Sequence, residues 1–264
     1  MIYAGLTNYD YNTIEMLSDE ERVNGIVIGD GFCNKKMLSH GTFDLPYYMN
    51  LLMRHGKTLI YQTPCFLTDK KLEEQLQLLD FLKDYEDSLV LVQDLGMASL
   101  IKEQYPYIRM CWSRLSKFRV DIYSSCFLDV LKKMNVLYAE TDDFSKMEQL
   151  SSLNITPLFL YGKLSYGSFG RICYYCYETD KSIFECERGC LKKQLTIKDE
   201  IFNKELSLDG YILGEHYPIS VDESADHRKK LKNIYLSDSP IGIYGENIKD
   251  LKHKLNVLEE MLKL

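Results

Sequence analysis

Residues 58 to 93, TLIYQTPCFLTDKKLEEQLQLLDFLKDYEDSLVLVQ, contain two short apolar runs separated by a helical pattern. The runs, 58–62 and 89–93, are nearly continuous in apolar residues, as in strands of a parallel sheet covered on both faces. Between them, Thr68 can cap a helix whose leucines recur at spacings of four and three. These leucines are Leu72, Leu76, Leu79 and Leu82. The segment therefore predicts a strand–helix–strand unit.

The same alternation recurs along the whole chain. Eight apolar runs occur, at residues 2–6, 25–29, 58–62, 89–93, 108–112, 136–140, 155–161 and 233–237. Eight strands alternating with helices predict an α/β fold, a TIM-type (β/α)8 barrel with irregularity near its end. An open doubly wound sheet is the main rival, because counting strands does not show closure. The predicted domain is a single barrel over residues 1–264, since no Pro/Gly/Ser-rich linker divides the chain.

The last amphipathic segment repeats the helical spacing. Its apolar residues are Ile248, Leu251, Leu255, Leu258 and Leu262. This pattern favours an outer helix of the barrel, and a helix that binds a partner is the alternative.

Composition limits the class of protein. The chain has 264 residues, 45% hydrophobic and 27% charged, as in ordinary globular proteins. We expect a cytoplasmic protein without a membrane span, because no signal peptide begins the sequence and no run approaches ~18 apolar residues. In a reducing compartment, clustered cysteines more often bind metal than form disulfides. The net charge of −7 makes a nucleic-acid partner unlikely.

Four of the eight cysteines lie in one long stretch, about 163–210, after the seventh predicted strand. This stretch is predicted to be an irregular loop, and loops of such length are usually functional or disordered. Its cysteines are Cys173, Cys176, Cys186 and Cys190. Taken alone, they fit a structural zinc site of four thiolates. An iron–sulfur cluster also takes four thiolates and often recruits one from elsewhere in the chain.

Cys33 is the distant candidate ligand. It follows the second predicted strand, as the cysteine-rich loop follows the seventh. In a barrel, the carboxyl ends of all strands open onto one face, so Cys33 can meet the loop there. The remaining three cysteines, Cys65, Cys111 and Cys126, are interpreted as structural, since buried free cysteine behaves as a small hydrophobe.

Two patches, YGKLSYGSFGRICYY with FECERGC and the Cys33-Asn34-Lys35-Lys36 segment, resemble the collagenase-like peptidases, family thirty-two of unknown catalytic type. The closer resemblance is to its UbiV-like branch from ubiquinone biosynthesis. There, one early cysteine followed by basic residues and three late cysteines hold a 4Fe-4S cluster. The first late cysteine directly follows an arginine there, and the late cysteines are spaced by thirteen and four residues. Cys173, Cys186 and Cys190 have these spacings here, but Ile172 separates Cys173 from Arg171.

The resemblance implies a cluster held by Cys33, Cys173, Cys186 and Cys190. Cys176 is an extra thiol that can replace Cys173. The usual branch of the family has a cysteine where Leu164 stands here, and another beyond the loop, where this chain has none after Cys190. Both departures favour the UbiV-like ligand set.

The resemblance also implies an activity. It is oxygen-independent hydroxylation of a small aromatic ring similar to a ubiquinone precursor, in a heterodimer with a paralogous subunit. Alternatives are a non-catalytic partner subunit with structural zinc or a cluster, hydroxylation of an RNA base, and peptidase activity. The last rests on the family name alone, because the sequence has no HExxH and no GxSxG motif.

Polar residues at predicted strand ends are the candidates for chemistry. They are Asp30, Gln62, Asp94, Ser113, Glu140 and Asp238. We predict that Glu140 and Asp94 are catalytic, because acids at the carboxyl ends of barrel strands often contact substrate. Glu140 also matches the place of a strand-end glutamate in the family.

Overall fold

A computed structural model describes fourteen parts of the chain. They are residues 1–6, 11–29, 45–64, 69–83, 85, 87–114, 124–161, 168–169, 173–180, 195–199, 204–209, 212–214, 224–245 and 247–263.

Eight parallel strands close into a barrel, in the order β1-β12-β7-β6-β5-β4-β3-β2. These strands are β1 Ile2–Leu6, β2 Gly25–Gly29, β3 Thr58–Gln62, β4 Leu89–Val92, β5 Arg109–Trp112, β6 Val136–Thr141, β7 Thr156–Tyr161 and β12 Ile241–Gly245. The ring closes where β1 pairs in parallel with β12, Ile2 opposite Ile241. The TIM-type prediction is therefore confirmed, and the open sheet is excluded.

Helices alternate with these strands around the barrel. They are α1 Tyr11–Ser18, α2 Leu45–Arg54, α3 Asp69–Leu82, α4 Leu95–Gln104, α5 Ser125–Lys133, α6 Phe144–Ser152, α8 Ala225–Leu236 and α9 Ile248–Lys263. The α9 helix packs against β12, β1 and α8 and buries Leu251, Leu255 and Leu258, so it is an outer barrel helix as predicted. None of the helices in the described parts of the chain is both long and apolar enough to cross a membrane.

The eighth barrel strand is not where the sequence predicted it. Residues 233–237 were predicted as a strand, but 233–236 form the end of α8, whose Leu231 and Ile234 are buried three positions apart. Ser224 caps this helix by accepting a hydrogen bond from the backbone N–H of His227. The strand is the next apolar run, β12, so Asp238 precedes it and lies at the amino-terminal end of the barrel. The prediction that Asp238 faces the carboxyl end is wrong.

Between β7 and α8, the described parts of the chain contain short strands and a helix that the sequence did not predict. A four-stranded antiparallel sheet has the order β8-β11-β10-β9, and a short helix, α7 Tyr174–Glu178, packs against β10. The strands are β8 Ser168–Phe169, β9 Leu195–Asp199, β10 Lys204–Asp209 and β11 Ile212–Gly214. The single domain over 1–264 stays a prediction.

The core has two parts. Outward-facing strand residues pack with the helices in a large apolar layer, to which α3 contributes Leu79 and Leu82. Inward-facing residues form a separate apolar cluster that fills the barrel. Its buried members are Tyr3, Val27, Ile60, Leu89, Leu91, Cys111, Leu158 and Leu160. The interior is thus packed, as in other barrels of this type, and leaves the carboxyl end for polar residues.

Gly29 ends β2 in a conformation that requires glycine. Its φ is +129°, and a Cβ there would overlap the backbone carbonyl oxygen of Gln62 on β3. We expect Gly29→Ala to lower the free energy of unfolding by about 3 kcal/mol, since backbone strain adds to a backbone clash. Gly56 is the matched control, because it has φ +63° with no atom near its Cβ position. Gly56→Ala should cost only about 1 kcal/mol. Urea denaturation measures both, and equal losses would contradict the argument.

Candidate active site at the carboxyl end of the barrel

Glu140 is a buried carboxylate inside the barrel, near the end of β6 and 3% exposed. Its Oε2 accepts hydrogen bonds from the Ser113 hydroxyl and the Arg114 backbone N–H, both at 3.0 Å. Its Oε1 accepts a hydrogen bond of 2.8 Å from the Tyr244 hydroxyl. Three strands thus meet at one side chain, because Ser113 and Arg114 follow β5 and Tyr244 belongs to β12.

Tyr244 can lie across the barrel because Gly5 has no side chain. The two residues are opposite each other in the β1–β12 register. A Cβ on Gly5 would lie 2.6 Å from two ring carbons of Tyr244. The ring therefore occupies the space that another residue at position 5 would fill, and its hydroxyl reaches Glu140.

Two charged pairs hold the strand ends around this network. Arg114 Nη1 lies 3.0 Å from Asp142 Oδ2, and both side chains are about nine-tenths buried. Lys254 of α9 donates to the backbone carbonyl of Tyr244 at 3.0 Å and to Asp250 at 2.7 Å. Lys254 thus ties the outer helix to the strand that carries Tyr244.

Burial is the main influence on the ionisation of Glu140. Desolvation raises the pKa of its carboxyl, because the charged form loses its hydration. The hydrogen bonds from Tyr244, Arg114 and Ser113 act in the opposite direction, and the net effect is still upward. Glu140 therefore holds a proton at higher pH than an ordinary glutamate, which is the property of an acid–base group.

Cys111 lies below Glu140 in the apolar cluster and is fully buried. Burial raises the pKa of its thiol well above the ordinary value, and the nearby charge of Glu140 adds to the shift. A neutral thiol in an apolar interior is a packing residue, so its interpretation as structural agrees with the structure. Cys126, in contrast, is exposed on α5, so its interpretation as a buried structural residue is wrong.

Asp94 has a local structural role. It caps α4, and its Oδ1 accepts a hydrogen bond of 2.9 Å from the backbone N–H of Met97. Capping of α4 explains why an aspartate follows β4 without any role in chemistry. No contact joins Asp94 to Glu140 among the described residues, and the catalytic role of Asp94 stays a prediction.

Gln62 and Gln93 are inward-facing amides at the same end of the barrel, each 7% exposed. Gln93 donates to the backbone carbonyl of Thr63 at 2.8 Å, which joins the ends of β4 and β3. No described residue forms a hydrogen bond with the amide of Gln62. Gln62 was correctly predicted to face this end, whereas Asp30 lies outside the described residues.

The predicted cluster ligands are described only in part. Cys173 and Cys176 are buried, 6% and 4% exposed, at the start of α7 and one turn along it. Cys33, Cys186 and Cys190, as well as Cys65, lie outside the described residues. Within the described ranges, no three His, Cys, Asp or Glu residues are grouped so as to hold a metal ion. The two buried thiols are donors of the type that iron–sulfur clusters and zinc require, so the residues present fit either group.

The sequence prediction missed Tyr244, Arg114 and Asp142. Arg114 and Asp142 each come within two residues of a predicted strand end, and that position was the available signal. The signal for Tyr244 is that IGIYG is a short apolar run, but the apolar run at residues 233–237 competes with it as the eighth strand.

No protein-family model matches the sequence, and no curated protein matches it. A solved structure of a U32 peptidase is similar over 92% of each chain, with 10% identity and a TM-score of 0.49. An N-acetylneuraminate lyase from Mycoplasma synoviae is similar over 61% of this chain and 62% of its own, with 16% identity and a TM-score of 0.42. At these TM-scores neither likeness carries an argument about family or activity. The barrel itself is established by its strand pairing.

The raised pKa of Glu140 predicts a pH dependence of stability. Protonation of Glu140 stabilises the folded state fully below the ordinary carboxyl pKa, and this contribution is lost as the pH rises through the folded pKa. Glu140→Gln cannot ionise, so we expect its free energy of unfolding, relative to that of wild type, to rise with pH in this window. Urea denaturation between about pH 4 and about pH 8 measures the difference.

Glu20→Gln is the control for this measurement. Hydrogen bonding to Arg22 lowers the pKa of Glu20, so the charged carboxylate stabilises the folded state. The free energy of unfolding of Glu20→Gln should therefore fall relative to that of wild type as the pH rises. Slopes of the same sign for both variants would contradict the assignment to Glu140.

Proposed function

We propose that this protein is a 4Fe-4S protein whose ligands are Cys33, Cys173, Cys186 and Cys190. It acts in oxygen-independent hydroxylation of a small aromatic ring, together with a paralogous subunit. The observation that carries the proposal is the spacing of these four cysteines with their basic neighbours. Membership of the collagenase-like peptidase family, and of its UbiV-like branch, belongs to the same proposal.

Barrel topology supports the ligand set. Gly29 ends β2 and Tyr161 ends β7, and the carboxyl ends of parallel strands open on one face. Cys33 follows four residues after Gly29, a span of at most about 14 Å. Both cysteine-bearing segments therefore leave the barrel from the face at which Glu140 lies.

Burial of Cys173 and Cys176 is a second support. A thiol that ligates a cluster is shielded from water, and both thiols are buried. Because they lie one turn apart on α7, either can supply the single ligand that this helix contributes. Cys173 matches the family spacing, and Cys176 stays the alternative.

Glu140 is the residue of the barrel that we assign to the chemistry, as the group that takes or gives a proton. Hydroxylation replaces a ring C–H bond by C–OH, so the ring loses two electrons and an oxygen donor other than O2 must accept them. A bound cluster supplies one-electron redox chemistry for such a reaction. The protein contributes a buried carboxyl with a raised pKa beside an apolar interior.

The cluster makes a direct prediction. Anaerobically purified protein should contain about four irons and four sulfides per chain and absorb near about 400 nm. Cys33→Ser should lose the cluster while the barrel stays folded by circular dichroism. Cys126→Ser is the control, since Cys126 is an exposed thiol on α5, and it should keep full iron content.

The same cysteine variants distinguish a 4Fe-4S cluster from a zinc site. If the protein binds one zinc, and Cys176→Ser abolishes binding while Cys33→Ser does not, the cluster proposal fails. The chain would then fit the alternative of a non-catalytic subunit with a structural zinc site. Cys173→Ser and Cys176→Ser together decide which thiol of α7 is the ligand.

The partner is tested separately. We expect a paralogous chain to co-purify with this one after anaerobic co-expression, and the pair to hydroxylate the substrate. Hydroxylation by this chain alone, given reductant and an oxygen donor, would contradict the need for a partner. Cys126→Ser serves again as the control, since it alters a thiol outside the proposed ligand set.

A further inference from the structure

The short helix α7 holds two cysteines one turn apart, and the proposed cluster uses only one of them. Cys173 is the cap residue before the helix, and Cys176 is its third residue. The backbone N–H of Tyr177 donates to the carbonyl of Cys173 at 3.0 Å, so the first helical turn includes the cap residue. The proposed function leaves the other thiol of the pair without a role.

Helical geometry brings the two cysteines within the range of a disulfide. Residues three positions apart in a regular helix have Cα atoms about 5 Å from each other. Disulfides join cysteines whose Cα atoms lie about 4.4–6.8 Å apart. The spacing of Cys173 and Cys176 thus meets the requirement for a bridge that leaves the backbone in place.

The backbone of Cys173 is suited to direct its side chain towards Cys176. Its φ of −74° and ψ of 112° are extended, as is usual for a cap residue. A side chain at such a position reaches over the first turn towards the third helical residue, which is Cys176 here. Within α7, the thiol of Cys173 makes no capping hydrogen bond, so its sulfur is not held by the backbone of this helix.

Both cysteines lie on the buried side of α7. They are 6% and 4% exposed, whereas Tyr177 of the same helix is 70% exposed, and α7 packs against β10. Burial keeps the thiols of other proteins away, while a molecule as small as hydrogen peroxide enters through local openings of the structure. A thiol of this pair that is oxidised therefore meets the neighbouring thiol of its own helix first.

We propose that Cys173 and Cys176 form a reversible disulfide when no cluster is bound, and that this disulfide protects the ligand cysteine from irreversible oxidation. The oxidant is a peroxide, which converts one thiol to a sulfenic acid and releases one water. The second thiol attacks that sulfur, an S–S bond forms, and the hydroxyl leaves with the thiol proton as a second water. The two thiols thus lose two electrons and two protons, which reduce the O–O bond of one peroxide.

The protection concerns the next stage of oxidation. A sulfenic acid that is not captured by a thiol reacts with more peroxide to a sulfinic acid, which thiol reductants do not reverse. A disulfide is returned to two thiols by a dithiol, after which α7 again offers a ligand. The identity of one thiol as a cluster ligand rests on the proposed function, whereas the disulfide requires only the two cysteines.

Trypsin separates this pair from the other cysteines of the chain. It cleaves after Arg171 and Lys181, and the peptide 172–181, ICYYCYETDK, contains Cys173 and Cys176 as its only cysteines. We would reduce and desalt the full-length chain with a chelator present, treat it with hydrogen peroxide, block the remaining thiols with iodoacetamide in denaturant, and measure the peptides by mass spectrometry. The peptide should be unalkylated and lighter by two hydrogen atoms, and dithiothreitol should restore both thiols.

Cys126 monitors the dose of peroxide in the same digest. It is an exposed thiol on α5 and lies in the tryptic peptide 120–132, which contains no other cysteine. Peroxide is raised until Cys126 is oxidised. If the peptide 172–181 is then alkylated at both cysteines, carries a sulfinic acid, or is cross-linked to another cysteine peptide, the proposal is overturned.

Single substitutions test the protection. In at least one of Cys173→Ser and Cys176→Ser, the remaining thiol of α7 should end as a sulfinic acid that dithiothreitol does not reverse. Cys126→Ser is the matched control, because it removes a thiol outside the pair, and it should form the disulfide as wild type does. Circular dichroism before treatment checks that each variant is folded. Full recovery of the remaining thiol in both variants of the pair would contradict a protective role.

Failure of this inference is distinguishable from failure of the proposed function. Iron is measured separately, on untreated chain that was purified anaerobically. The disulfide in a protein that binds no iron would sink only the proposed function. Iron binding by a protein that does not form the disulfide would sink only this inference.

Discussion

The pairing of β1 with β12 is the constraint on which the rest of the structure depends. It joins Ile2 to Ile241 and closes the ring of eight strands. Closure turns one face of every strand inward, so apolar residues there fill the interior and polar residues are left only near the strand ends. It also brings Tyr244 opposite Gly5, which allows the tyrosine to cross to Glu140. The pairing of β1 with β12 thus both closes the barrel and positions the tyrosine of the candidate site.

Glu140 differs from the neighbouring buried charges in how it is compensated. Arg114 and Asp142 form an ion pair, and Lys254 is paired with Asp250, so each charge has an opposite charge beside it. Glu140 is held instead by a hydroxyl, a phenol and a backbone amide, all of them neutral donors. These neutral donors, with a smaller contribution from the charge of Arg114, compensate desolvation incompletely, so the pKa of Glu140 stays raised. A structural ion pair does not require a carboxyl that is held mainly by neutral donors. Carboxyls with perturbed pKa values of this type are concentrated at functional sites.

The sequence predicted the barrel because alternating strands and helices leave a strong periodic signal. Glu140 was found because a charged residue at the end of an apolar run stands out. Tyr244 was missed because residues 233–236 and β12 are both apolar, and only packing shows that Leu231 and Ile234 belong to one helical face. The second sheet was missed because its strands are short and polar, as in Lys204–Asp209. The spacing of the cysteines can be read from the sequence. The burial of Cys173 and Cys176 cannot, because it depends on the fold.

The position of β12 in the chain has a consequence for the order of folding. The barrel runs without interruption from β1 to β7, and the chain then makes the second sheet before α8 and β12 complete the ring. Until β12 arrives, β1 and β7 are unpaired edges, and such edges are prone to associate with other chains. The contact that closes them joins residues at nearly opposite ends of the sequence, which is entropically slow to form. Any open sheet formed by the first seven strands before β12 is synthesised therefore has two exposed edges, at which aggregation competes with folding.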